Sequence, residues 1–95
     1  MQLTSRQVGQ YRQSGYLLLR NVLSAEEMTV INGEVANVFA QDSPGRILEK
    51  DQTHVRTVFA PHTINEVFAE LARLPRLAGA ARQLAGEDVY VHQFK

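Results

Sequence analysis

Apolar side chains recur at helical spacing in two stretches of the chain, where they stand three or four positions apart between polar residues. Such spacing places the apolar side chains on one face of a helix, so both stripes are predicted to pack in the core. The first stripe consists of Met28, Ile31, Val35 and Val38, and the second of Ile64, Val67, Phe68 and Leu71.

Three capping boxes mark helix starts, because in each a Ser or Thr is followed three positions later by Glu or Gln. They are Thr4-x-x-Gln7, Ser24-x-x-Glu27 and Thr63-x-x-Glu66. Breakers mark the ends, since glycine, proline and turn-forming runs close helices. The chain is therefore predicted to form helices over 5–14, from 24 to the loop at 41–45, from 63 to Pro75, and over 76–85.

Strand-like patterns fill the remaining segments. Residues 16–23 form a nearly continuous apolar run, which predicts a strand buried on both faces, although its leucines favour helix. Residues 46–50 and 53–59 flank Asp51-Gln52 and predict a hairpin, although that turn lacks the glycine of the tightest types.

The last eight residues, 88–95, alternate strictly between two faces, as a strand does. One face is predicted to carry Val89, Val91, Gln93 and Lys95, and the other Tyr90, His92 and Phe94. No turn, cap or polar tail follows, so we expect the strand to continue beyond Lys95 in a longer protein. The predicted class is α+β, with residues 1–95 forming one partial domain.

Composition narrows the function. Ten basic residues balance ten acidic ones without clustering, which argues against a nucleic-acid or membrane partner. The chain has no cysteine and no apolar run long enough to span a bilayer. We therefore expect a soluble protein of the cytoplasm.

The three histidines are the first candidates for a metal site. His54 and His62 are eight residues apart, which matches neither the helical pair of zinc enzymes nor the His-x-Asp arm of an iron triad. Polar surface or turn positions are the favoured interpretation for both. His92, flanked by aromatic and valine neighbours, is predicted to be a hydrogen-bonded core residue rather than a ligand. No metal ligand and no catalytic residue is predicted in this chain.

Five segments, in this order, resemble the phytanoyl-CoA dioxygenase family, and in particular its bacterial members that act on ectoine and amino acids. The first, Tyr11–Met28, contains the motif Ser-Ala-Glu-Glu. The others are Ile47–Lys50, Val55–His62, Asn65–Phe68 and Asp88–Lys95. Together they extend over essentially the whole chain.

The resemblance implies a double-stranded β-helix, or jelly roll, enzyme that uses Fe(II), 2-oxoglutarate and O2 to hydroxylate a small molecule. This chain would supply the N-terminal helical support layer and the first strands. The family's His-x-Asp arm, its second iron-binding histidine and its 2-oxoglutarate-binding arginine would all follow Lys95. We therefore expect the 95-residue chain alone to bind neither cofactor and to be inactive.

The family pattern further implies that Gln93 and Lys95 contact the substrate or 2-oxoglutarate. Lys95 is suited to a carboxylate as a compact cation, and Gln93 offers both a donor and an acceptor. The alternative is that both are solvent-facing residues at a strand end. Arg56 is a further cation that is able to orient an anionic substrate, although an exposed salt-bridge partner is the favoured interpretation.

A function of another class is a small α+β interaction module. Its open strand at 88–95 would offer unpaired backbone amides and carbonyls to an incoming chain. The sequence says nothing about the oligomeric state.

Overall fold

The computed structural model describes residues 2–95, which form a helical layer and one β-hairpin, in agreement with the predicted α+β class. A 3₁₀ turn, Pro61–Thr63, precedes the third helix, and a π-helical turn, Pro75–Gly79, leads into the fourth. In chain order the elements are α1 (Ser5–Ser14), α2 (Ala25–Ala40), β1 (Arg46–Leu48), β2 (Val55–Val58), α3 (Glu66–Arg73) and α4 (Ala80–Ala85).

The first two predicted helices are confirmed, together with the contacts that begin them. The Thr4 hydroxyl accepts from the Gln7 amide at 3.1 Å, and the Gln7 side chain accepts from the Thr4 amide at 2.9 Å. The same pair of bonds joins Ser24 and Glu27 at 3.1 and 2.8 Å. Each pair satisfies two amides that have no partner inside the helix.

The third predicted capping box is wrong, because α3 is capped by Asn65. The Asn65 side-chain oxygen accepts from the Phe68 amide at 3.1 Å, and its backbone is extended, as a cap requires. Thr63 instead ends the 3₁₀ turn, where its hydroxyl donates to the Ala60 carbonyl at 2.7 Å. The turn that Pro61 begins therefore delays the helix by two residues.

The predicted hairpin is confirmed with a longer connection. β1 and β2 pair antiparallel, and the loop between them is closed by Asp51, whose carboxylate accepts from the amides of Thr53 and His54 at 2.9 and 3.0 Å. Gln52 has a φ of 62°. The chain thus makes the turn with an aspartate side chain where a two-residue turn would need glycine.

Two predicted strands, at 16–23 and 88–95, are absent from the structure of residues 2–95. Both segments are irregular, and Leu18 and Tyr90 are 65% and 84% exposed. A strand is stabilised by the backbone ladder of a neighbour, and no described strand pairs with either segment. The alternation of apolar and polar residues does not by itself show whether a neighbouring strand is present.

The hydrophobic core is thin. Within residues 2–95 the buried apolar side chains are Leu3, Val38, Val58, Pro61 and Ala80. The predicted stripe of α2 is therefore only partly covered, and Met28 remains 38% exposed. The accessible surface is 7252 Å², whereas a compact protein of this mass exposes roughly 5,500 Å². The Cα radius of gyration of 15.9 Å likewise exceeds the value of about 12 Å for a compact domain of this length.

Polar contacts tie the distant parts of the helical layer together. Arg76 donates to both carboxylate oxygens of Glu27 and, at 2.7 Å, to the Val22 carbonyl. The side-chain amide of Gln83 accepts from the backbone N–H of Leu3 at 2.8 Å and donates to the Leu3 carbonyl at 2.9 Å.

Among residues 2–95, no helix is long and apolar enough to cross a bilayer.

The Glu27 contact makes the stability depend on pH. Hydrogen bonds from Arg76 and from the Ser24 amide lower the pKa of Glu27 from 4.5 to about 2. Because the folded-state pKa is depressed, this stabilisation is complete above pH 4.5 and is lost as the pH falls through about 2. In thermal melts, Glu27→Gln should lower the Tm by several degrees at pH 7, and the difference should vanish near pH 2.

Glu87→Gln is the matched control, because Glu87 is exposed and forms no ion pair with residues 2–95. Its Tm should follow the wild-type value at every pH. A Glu27→Gln difference that persists unchanged at pH 2 would contradict the role of the Glu27 charge.

Gly45 is required where the chain enters the hairpin. A Cβ at this position would lie 2.2 Å from the Phe59 carbonyl oxygen, and the Gly45 carbonyl accepts from the Phe59 amide at 2.8 Å. Gly45→Ala should therefore destabilise the protein by about 1–3 kcal/mol in urea unfolding, through displacement of backbone. Gly33→Ala on α2, where a Cβ meets nothing within 4 Å, should be neutral or stabilising by up to about 1 kcal/mol. Equal effects of the two substitutions would refute the assignment.

Candidate functional site

A cavity of about 410 Å³ lies between the hairpin and the end of the chain. Its walls combine apolar side chains, one hydroxyl group and two cations. The lining residues are Ile47, Arg56, Thr57, Phe59 and Lys95. No acidic side chain belongs to this lining, so the cavity is electropositive.

Phe94 anchors the segment that brings Lys95 to this cavity. Its ring stacks on His62, with the centroids 5.4 Å apart, and meets the ring of Phe68 edge-on at 6.0 Å. The Phe94 carbonyl also accepts from the Ala60 amide at 2.8 Å. Lys95 follows directly, and its Nζ lies 5.8 Å from the centroid of the Phe59 ring, within range of a cation–π contact.

The two residues predicted to share a binding face are placed differently. Lys95 lines the cavity, whereas Gln93 is exposed and lies outside the lining. The prediction relied on the alternation of a regular strand at 88–95, which the structure does not contain. Binding roles for Gln93 and Lys95 stay predictions.

Arg56 lines the cavity and lies where the pairing of β1 with β2 is irregular. Ile47 pairs with Thr57 and the next residue, Leu48, pairs with Val55, so Arg56 is an extra residue in β2. This arrangement is a β-bulge, which bends a strand and redirects a side chain. Arg56 is exposed, as the favoured interpretation expects, and it forms no ion pair with any residue in 2–95.

The histidines lie apart from one another. His54 is exposed at the hairpin turn and pairs with Asp51, whose pKa is lowered by the backbone amides of His54 and Thr53 and by the His54 ring. His62 lies in the 3₁₀ turn, half-buried beneath Phe94, and its Nδ1 is buried without a hydrogen-bond partner.

His92 corrects a prediction, because it is exposed and not part of the core. It lies on the irregular segment that lacks a neighbouring strand to cover it. Residues 2–95 contain no group of three or more His, Cys, Asp or Glu side chains arranged to hold a metal ion.

Sequence reasoning missed three lining residues, Ile47, Thr57 and Phe59. Ile47 and Thr57 face each other across the hairpin. Thr57 lies within a predicted strand of the hairpin. Only the observed register of the hairpin, however, shows that its partner is Ile47.

Comparison with known proteins identifies the family. The family model described as "Phytanoyl-CoA dioxygenase (PhyH)" matches residues 11–95, which is most of the chain. The chain belongs to the phytanoyl-CoA dioxygenase family. The predicted family is thereby confirmed.

Two curated proteins similar to this chain are bacterial enzymes. The ectoine dioxygenase of Bordetella bronchiseptica is 39% identical over 95 residues, which cover 96% of this chain and 31% of that protein. The L-proline trans-4-hydroxylase of Streptomyces griseoviridis is 36% identical over 85 residues, which cover 90% of this chain and 32% of that protein. The chain therefore spans about a third of the length of each relative.

Solved structures of EctD from S. alaskensis have the same fold over this region. The structure with bound Fe superposes with a TM-score of 0.86 at 32% identity, covering 96% of this chain and 34% of EctD. The structure with 2-oxoglutarate and 5-hydroxyectoine gives a TM-score of 0.83 over the same extent. The helical layer and hairpin of this family member are thus shared with EctD.

The position of Lys95 should depend on Phe94. Phe94→Ala removes both ring contacts, each such aromatic pair being worth about 0.5–1.5 kcal/mol. We expect the Ala60 amide, which donates to the Phe94 carbonyl, to exchange with solvent about tenfold faster in a hydrogen-exchange measurement. Tyr90→Ala, at a side chain that is 84% exposed, should leave this rate unchanged. An unaltered Ala60 rate in Phe94→Ala would show that the segment is held by other contacts.

Proposed function

We propose that this chain is the N-terminal part of an Fe(II)- and 2-oxoglutarate-dependent dioxygenase that hydroxylates a small molecule. The observation that carries the proposal is the match to EctD, at 32% identity and a TM-score of 0.86 over 96% of the chain. EctD has been solved with Fe and with 2-oxoglutarate together with 5-hydroxyectoine. The relatives named for hydroxylation of proline and for ectoine dioxygenation support the same reaction class.

In the complete enzyme this chain would form the helical support layer and the first hairpin of a jelly roll. The thin core supports this role, because the chain exposes about 1,700 Å² more surface than a compact protein of its mass. Further strands packed on the exposed apolar residues would cover that excess. These residues include Tyr16, Leu18, Val30 and Tyr90.

The residues in 2–95 do not fit an iron site, since they provide no cluster of three suitable ligands. The iron ligands would belong to another part of the enzyme. Within this chain, Lys95 would hold a carboxylate of the substrate or of 2-oxoglutarate, and Gln93 would contribute hydrogen bonds from its exposed amide. No residue of this chain is assigned a step of the reaction. The cytoplasmic location of the protein stays a prediction.

The interaction-module hypothesis has less support. It depended on an open strand at 88–95, and that segment is irregular in the structure. An irregular segment lacks the regular row of donors and acceptors that strand addition requires.

The coding sequence downstream of Lys95 tests the proposal. We expect it to encode, in frame, a His-x-Asp motif, a later histidine and a later arginine, which would complete the iron and 2-oxoglutarate sites. The protein encoded by that whole frame should release CO2 from 2-oxoglutarate in an Fe(II)-dependent assay. A reading frame without these residues would refute the dioxygenase function.

The 95-residue chain serves as the control in this assay. Because metal affinity requires several ligands in one place, it should bind no Fe(II) at micromolar concentration and release no CO2. A stoichiometric Fe(II) site in anaerobic calorimetry, abolished by His54→Ala or His62→Ala, would place the metal within this chain.

A further inference from the structure

The turn between β2 and α3 holds His62 in a defined orientation. It begins at Ala60, whose φ of 56° lies in the left-handed region that residues other than glycine rarely adopt. Pro61 follows, buried and with its φ restricted by the ring. The amide and the hydroxyl of Thr63 both donate to the Ala60 carbonyl, at 3.1 and 2.7 Å. A strained backbone persists where its surroundings determine it, and such places cluster at functional sites.

His62 contacts the end of the chain through the face of its ring. The rings of His62 and Phe94 are inclined by only 12°, with their centroids 5.4 Å apart. The Nδ1 atom of His62 is buried and has no hydrogen-bond partner among residues 2–95. Stacking, rather than a hydrogen bond from Nδ1, is therefore the contact by which His62 acts on this segment.

Phe94 in turn fixes where Lys95 lies. Its ring meets Phe68 edge-on at 6.0 Å, and its carbonyl accepts from the Ala60 amide at 2.8 Å. Consecutive Cα atoms are about 3.8 Å apart across a trans peptide, so Lys95 stays close to Phe94. Lys95 lines the 410 Å³ cavity, whereas His62 does not. An effect of His62 on that cavity therefore has to pass through Phe94.

We propose that His62 is a positioning residue of the dioxygenase, because its ring holds Phe94 and Phe94 holds Lys95 at the cavity. This inference rests on the proposed function, since it concerns the use of Lys95 in the complete enzyme. A binding group keeps its geometry when the packing of its neighbours is fixed. Loss of the His62 ring should therefore weaken binding of the ligand that Lys95 contacts and leave the chemical step little changed.

A role in packing alone would leave a different signature. His62 also lines a cavity of about 580 Å³ beside α3, α4 and residues 89–91. If the ring only filled space there, its removal would destabilise the surrounding structure as a whole. A positioning role instead predicts a local effect on the segment that contains Phe94, with the turn itself intact.

Two amides separate these roles by hydrogen exchange in the 95-residue chain. The Ala60 amide donates to the Phe94 carbonyl and reports on the segment, whereas the Thr63 amide donates to the Ala60 carbonyl and reports on the turn. In His62→Ala, exchange at Ala60 should be about three- to tenfold faster, and exchange at Thr63 should stay within about twofold of wild type. His62→Phe keeps a flat ring and should restore the wild-type rate at Ala60.

His92→Ala is the matched control. His92 belongs to the same segment as Phe94, but its side chain is exposed. The substitution removes an imidazole from the segment and leaves the stack of Phe94 on His62 intact. Neither exchange rate should change in this variant.

The protein encoded by the whole reading frame tests the consequence for the reaction. His62→Ala should raise the KM for 2-oxoglutarate or for the substrate about tenfold, with kcat altered less than about threefold, and His62→Phe should restore the KM. Lys95→Gln should raise the same KM. Because His62 acts through Lys95, the double variant should be no weaker than Lys95→Gln alone.

Three results would overturn the inference. The first is an Ala60 rate in His62→Ala that is unchanged, or a Thr63 rate that rises equally, which would reduce the ring to general packing. The second is a His62→Phe variant that exchanges as fast as His62→Ala. The third is a KM in which the effects of His62→Ala and Lys95→Gln simply multiply. If the whole reading frame encodes no activity with 2-oxoglutarate, the proposed function fails, and the exchange rates still decide whether His62 positions the segment.

Discussion

The contact between Arg76 and Glu27 organises the helical layer of this protein. Glu27 begins α2 by accepting from the Ser24 amide, and the same carboxylate binds the guanidinium of Arg76, which also donates to the Val22 carbonyl. One side-chain pair therefore connects a helix start, the irregular segment before it and the π-helical turn after Pro75. An exposed ion pair alone stabilises a fold little, but a two-pronged pair with a further backbone acceptor restricts geometry as well.

These polar contacts matter for the stability of the fold because few apolar side chains are buried. Residues 2–95 bury few large side chains, and residues with aliphatic or aromatic surface remain open to solvent. A layer of this kind reaches a well-packed state when a further layer covers it. The length of the EctD relatives, about three times that of this chain, agrees with the proposed place of the layer in a larger enzyme.

The cavity at the hairpin depends on local packing of a different type. Gly45 allows the backbone of Phe59 to approach, and Phe59 in turn forms one wall. Phe94, stacked on His62, holds the end of the chain against this wall. Aromatic contacts and a strand bulge thus position the two cations at the cavity, and neither cation has a carboxylate partner in the described residues.

Local sequence determined the elements whose cause is local. The capping boxes at Thr4 and Ser24 and the hairpin at 46–59 depend on residues within a few positions of each other, and all were predicted. The family was also evident from the order of short segments. The start of α3 was missed because Asn65 and Thr63 both suit a cap, and the turn that begins at Pro61 decided between them.

Only the tertiary structure decided which alternating segments become strands and which cations share a cavity. Residues 88–95 have the pattern of a strand, yet a strand forms through hydrogen bonds to a neighbour that the pattern does not specify. His92 was therefore assigned to the core and is exposed. Arg56 and Lys95 line the same cavity because of the pairing register of β1 with β2 and the stacking of Phe94 on His62. Both depend on contacts between residues that are apart in the chain.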